Sequence, residues 1–143
     1  MNEIPLNYAT AYNWTGDDGK GEIRIGDLPV LPIGSPHNAD RYSPEHILVV
    51  AAEACLANYV LLISQMSGLE IKAYRSTAEG ELLKEGNAGY RFNRIVIRPV
   101  VTVESGKESA AERIVQKAHD LCMVARSLNC PVDVESRIDA FEN

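Results

Sequence analysis

The chain has 143 residues, 45% of them hydrophobic and 24% charged, with a net charge of −6. That length suits one globular domain, residues 1–143, able to bury about two-thirds of its unfolded surface. The acidic balance speaks against nucleic acid or an anionic membrane as partner, since either selects a basic face.

The opening MNEIPLNYATAYNW has no basic start followed by an apolar stretch, so a cytoplasmic protein is expected. Three cysteines without framework spacing fit reduced thiols rather than structural disulfides. Residues 7–14 hold β-branched and aromatic side chains and read as a strand. Gly16-Asp17-Asp18-Gly19 is a turn signal, and 20–25 alternates polar with apolar, completing a hairpin. Residues 28–33 form a short edge strand, because Pro29 and Pro32 cannot donate to a ladder. A loop of turn formers, 34–42, leads into the longest element.

That element is a helix from Ser43 to Gly68. Ser43 caps the free amides, Pro44 suits the first helical position, and Glu45 sets an acid in the first turn. Gly68 takes the left-handed cap at little cost. Between Ile47 and Ile63 only Glu53 and Asn58 interrupt an apolar run. A helix apolar all round is buried on all sides or crosses a membrane. This run falls a little short of the roughly 20 residues that a span needs and carries Glu53, so a buried central helix is expected.

Period two resumes in 71–83 and 90–103, strands joined by a turn at 86–89, with Pro99 demanding an edge or a bulge in the second. Residues 108–127 return to helical spacing, with Ile114, Val115, Ala118, Leu121, Cys122 and Ala125 on one stripe, capped by Ser105 or Ser109. A last short strand covers 132–138. Strands and helices do not alternate as a doubly wound sheet requires, so the expected class is α+β with antiparallel sheets around the long helix. One sheet and one companion helix cannot cover that helix on every side. The leftover apolar surface asks for a second subunit.

Cys55 and Cys122 stand on the apolar faces of these two helices. A buried unpaired cysteine often serves as a small hydrophobe. Two of them on helices that share a core admit another reading. A thiolate attacks a peroxide O–O bond and becomes a sulfenic acid, and a second thiol condenses with it to a disulfide. Cys130, beside Pro131, reads as a spare thiol. His119 and Cys122 share a helix face at i,i+3, yet no third ligand joins them with Cys55, so no metal site is expected. Glu53 needs a partner, from Arg126 or from a second chain, because an unpaired buried carboxylate is costly.

SPEHILVVAAEAC resembles a motif in which a small polar residue, proline and glutamate precede a helix carrying cysteine ten residues after the glutamate. KAHDLCMVARSL is similar to the second cysteine helix of the same family, and YNWTGDDGKGEIRI to its first hairpin. The family is the OsmC/Ohr group of osmotically inducible and organic-hydroperoxide-resistance proteins. The resemblance implies an intertwined homodimer with two central helices wrapped by sheets from both chains. It implies a thiol peroxidase acting on organic hydroperoxides, with Cys55 peroxidatic and Cys122 resolving. No bound cofactor is implied, and the reductant is an external dithiol such as lipoamide. An arginine lowers the thiolate pKa in this family and the motif glutamate, here Glu45, orients it.

Two positions depart from the pattern. The family's second cysteine is usually followed by proline, where this chain has Met123. Ohr-type members place the arginine in the first turn, where Asp17 stands, and OsmC-type members place it in the loop that here holds Arg41. Ten residues of helix rise about 15 Å, so Glu45 cannot touch Cys55 of its own helix. A partner subunit or a bridging arginine must join them if both serve one site. These departures motivate an alternative function: a non-catalytic dimer of the same fold, binding a small apolar ligand between its helices.

Overall fold

Gly16 and Asp18 take positive φ, 90° and 45°, and turn the chain between β1 (Ala11–Trp14) and β2 (Gly21–Arg24). Glycine and aspartate are among the residues that accept that region most readily. The structure is a computed structural model that describes residues 3–142. The chain divides between Ile47 and Leu48 into two compact units.

In the first unit β2 pairs antiparallel with β1 and with β3 (Leu31–Ile33), giving the order β1-β2-β3. The first strand is shorter than the expected 7–14, and Trp14 is 63% exposed within one chain, with its indole N–H donated to the Asp18 carbonyl at 2.8 Å. Buried Asn38 ties the unit together. Its amide donates to Asp18 Oδ2 at 3.0 Å, while its side-chain oxygen accepts from the Ser35 N–H and hydroxyl.

The long helix, α1, runs Pro44–Met66, with the His46 amide donating to the Ser43 hydroxyl oxygen at 3.1 Å as a cap. It ends where Gly68 takes φ 73° and the Leu69 amide closes on the Ser64 carbonyl. Both ends follow the sequence. By length and composition α1 would pass as a membrane span. Its buried residues are Ala52, Leu56, Val60 and Ser64, a single stripe at a spacing of four. That stripe enters a core with Ile95, Ile97, Val101 and Val103 and with Ala111, Ile114, Val115 and Ala118. Within one chain, Val50 is 49% exposed, Leu61 45% and Met66 62%.

The second unit's sheet departs from purely antiparallel pairing. β4 (Ala73–Lys84) and β5 (Tyr90–Glu104) form an antiparallel hairpin, with an irregularity after Glu81. The expected strand 132–138 is instead two, β6 (Val132–Val134) and β7 (Arg137–Phe141), both parallel to β5. The reason is connectivity. Helix α2 (Glu108–Leu121) carries the chain back over the sheet, so the next strand enters in the direction of β5. Proline 99 is accommodated inside the sheet rather than at an edge. β6 pairs with Ile95–Ile97 and β7 with Val100–Glu104, so the missing donor falls where one partner strand gives way to the next. No serine caps α2; Glu108 accepts from the Gly106 amide instead.

Alternation along β4 points Arg75, Thr77, Glu79 and Glu81 to solvent and Tyr74, Ser76, Ala78 and Gly80 inward. A Cβ on Gly80 would come within 2.6 Å of Val49 and 2.7 Å of Phe92. The helix therefore approaches β4 as closely as a glycine allows. Gly80→Ala should lower stability by about 1–3 kcal/mol, as overpacking does, measured by urea unfolding. An unchanged midpoint would show that α1 lies further from the strand.

Candidate active site

The expected continuous helix 108–127 is broken at one of the two cysteines. α2 ends at Leu121, Cys122 takes φ −57° and ψ 109°, and a short α3 follows at Met123–Arg126. The Ser127 hydroxyl closes α3 by donating to the Met123 carbonyl at 2.7 Å. Extended ψ at Cys122 ends the hydrogen-bonded run without a proline at position 123. The side chain of Cys122 is buried at this joint.

Cys55, on α1 and half-buried, lies beside Cys122 there, near enough to raise the pKa of its thiol. Burial pushes the pKa of Cys122 up, and the neighbouring Cys55 thiol pushes it further. The amides of Ala125 and Val124 face the sulfur and pull the value part of the way back, without forming a capping hydrogen bond. Cys122 thus keeps its proton. Both thiols are free, and Cys130 packs at the margin of the apolar core.

Glu45 and Arg41 belong to the first unit. The Arg41 guanidinium donates to the Gly21 carbonyl at 2.9 Å. Glu45 Oε2 is buried without a hydrogen-bond partner, and no ion pair joins it to Arg41 among the described residues. Asp17, in the first turn, lies 3.8 Å from Lys20. His119 is half-buried, and no three of the described His, Cys, Asp and Glu residues are placed to hold a metal ion.

A family model described as OsmC-like protein matches residues 37–137. The chain belongs to the OsmC-like family. An OsmC-like protein of unknown function from Vibrio cholerae superposes with a TM-score of 0.82 at 18% identity, covering 92% of this chain and 99% of that one. An organic hydroperoxide resistance protein OsmC from Legionella pneumophila does so at 0.74 and 17%, covering 96% and 99%. The organic hydroperoxide resistance protein OhrB of Bacillus subtilis gives 0.65 and 19%, covering 93% and 98%. At these identities the likeness is one of fold. Comparison with curated proteins found no match.

Inside this OsmC-like domain, the partner of Glu53 within the chain is Ser76 rather than Arg126. The Ser76 hydroxyl donates to Glu53 Oε2 at 2.5 Å, and the Tyr74 phenol beside it is buried with no hydrogen bond. Tyr74 reads from the sequence as core or interface packing, whereas Ser76 escapes it, although alternation along 73–84 puts both on the inward face. Burial, and secondly the negative charge of Glu53, raise the Tyr74 pKa to about 12. A phenol whose pKa rises on folding contributes stability that is complete below the ordinary value of about 10 and is lost as pH climbs through the folded value. Ultraviolet titration of the six tyrosines should show one that ionises last, only as the fold yields. Glu53→Gln should bring it part of the way down, because burial remains. A native protein whose tyrosines all ionise together near pH 10 would contradict this.

Proposed function

We propose that the protein is a cysteine-based peroxidase that reduces organic hydroperoxides. The observation that carries the reading is the nearness of Cys55 and Cys122 in unequal surroundings. Cys55 is the more accessible sulfur and takes the peroxidatic role. Its thiolate attacks the terminal peroxide oxygen, the O–O bond breaks, and the alkoxide leaves and takes a proton to become an alcohol. The Cys55 sulfenic acid then condenses with the neighbouring Cys122, which holds its proton, releasing water and forming a disulfide. An external dithiol of the lipoamide kind restores both thiols by exchange.

The solved relatives described as organic hydroperoxide resistance proteins support this class of substrate. Glu45 and Arg41 are the residues assigned to thiolate activation. The buried carboxylate oxygen of Glu45, free of other hydrogen bonds, supports a role in orienting a guanidinium. The single covered stripe of α1 supports a homodimer in which a second copy covers the rest. The expected setting is the cytoplasm, where thiols are kept reduced.

One observation favours the alternative of a non-catalytic dimer that binds a small apolar ligand between its helices. Arg41 is engaged with the Gly21 carbonyl, and Asp17 holds the other position where the family has its arginine. Alkylation at neutral pH separates the two readings. An activated Cys55 reacts fast, whereas a packing thiol stays inert.

One equivalent of cumene hydroperoxide should remove two of the three thiols. Cys55→Ser should abolish that loss, and Cys122→Ser should stop the reaction at a trappable sulfenic acid. Retention of every thiol in the native protein would end the proposal. For the dimer, each large apolar side chain of α1 left in water forfeits about 1.5–3 kcal/mol, so folding and association are coupled. The denaturation midpoint should rise with protein concentration. A fixed midpoint with a monomeric mass by light scattering would rule the dimer out.

A further inference from the structure

The contact of α1 with β4 is made of side chains that discriminate poorly between registers. On the strand the inward residues after Tyr74 are Ser76, Ala78 and Gly80, which Glu53 and Val49 meet from the helix. The buried stripe of the helix, Ala52, Leu56, Val60 and Ser64 at a constant spacing of four, is turned to the core. A slide of one helical turn replaces Ala52 by Leu56 and Leu56 by Val60, apolar for apolar. Dispersion between such surfaces is additive and weakly directional, so it favours contact more than it favours one alignment. The hydrogen bond from Ser76 to Glu53, at 2.5 Å, is different in kind. A slide of one turn would carry the carboxylate off its hydroxyl and place Val49 or Ala57 over Ser76. The acid would then be half-buried without its donor, a state that costs far more than an apolar mismatch.

Cys55 is two residues beyond Glu53, about 200° around the helix, so the acid grips β4 from one side while the thiol lies beside Cys122 on the other. Disulfide formation tolerates a narrow range of separations, with Cβ atoms about 3.5–4.5 Å apart. Sliding or rolling α1 by a fraction of a turn would move Cys55 out of that range. We infer that Glu53 is a positioning residue, whose hydrogen bond with Ser76 fixes the register of α1 on β4 and thereby sets Cys55 against Cys122. Buried polar groups that specify register at some expense of stability are known from other helical packings. This inference rests on the reading of Cys55 and Cys122 as a redox pair.

The test is the thiol–disulfide equilibrium of the full-length protein with glutathione, in a Cys130→Ser background that leaves only the pair. Each turnover oxidises both protein thiols to the disulfide and reduces one glutathione disulfide to two glutathiones. Glu53→Gln retains an acceptor for Ser76 and should stay close to the parent protein. The double variant Glu53→Met with Ser76→Ala removes the bond and leaves no orphaned group. It should hold at least roughly tenfold less disulfide at a given glutathione ratio, a fraction of what an ångström of misplacement can cost a reaction. Its urea midpoint should be unchanged or higher, since apolar replacement of a buried polar pair is often neutral or stabilising. Ser76→Ala alone, a smaller change, should shift the equilibrium in the same direction. Parent-like equilibria in both the double variant and Ser76→Ala would overturn the inference. A parent protein that forms no Cys55–Cys122 disulfide with glutathione would instead overturn the peroxidase reading, and this inference with it.

Discussion

A helix that is apolar from Ile47 to Ile63 except at Glu53 and Asn58 must be covered on several sides, and much of this fold is arranged to do so. β4 presents its smallest inward residues to the helix, Ser76, Ala78 and Gly80, and so lets it come close. β5 supplies Ile95, Ile97, Val101 and Val103 beneath it, and α2 closes the same core with Ala111, Ile114, Val115 and Ala118. The return of the chain through α2 is what makes β6 and β7 parallel to β5. What one chain provides covers only a stripe, and Val50, Leu61 and Met66 stay exposed within it.

The chemistry follows from where that core is interrupted. A straight helix from 108 to 127 would keep Cys122 on its apolar stripe as one more small hydrophobe. The break between α2 and α3 instead leaves its sulfur at a joint, facing the amides of Val124 and Ala125 and the thiol of Cys55. Burial keeps Cys122 protonated, which suits a group that waits for a sulfenic acid more than one that attacks a peroxide. The same core thus packs one thiol away and leaves its neighbour half-accessible.

Much of the fold was legible in the sequence, because local chemistry and tertiary structure agree at the element ends. Ser43, Pro44 and Gly68 bound α1, and Gly16 and Asp18 turn the first hairpin. The two thiols were legible as candidates from their helical stripes. The break at Cys122 was hidden, since residues 118, 121, 122 and 125 keep helical spacing and no proline or glycine announces a stop. The split of the last strand depends on Pro99, which lies over thirty residues away on its partner strand. Ser76 was hidden for another reason. One hydroxyl among alternating residues does not reveal that a carboxylate on a different element needs it.

Cys55 and Cys122 are the centre of the chemistry, and the bond between them is its most direct trace. Mass-spectrometric mapping of the protein after treatment with an organic hydroperoxide, without added reductant, reads that bond. The expected product is a cross-linked peptide pair carrying Cys55 and Cys122, with Cys130 recovered as a free thiol. A disulfide through Cys130, or oxidation that leaves Cys55 and Cys122 both unlinked, would contradict their assignment as the redox pair.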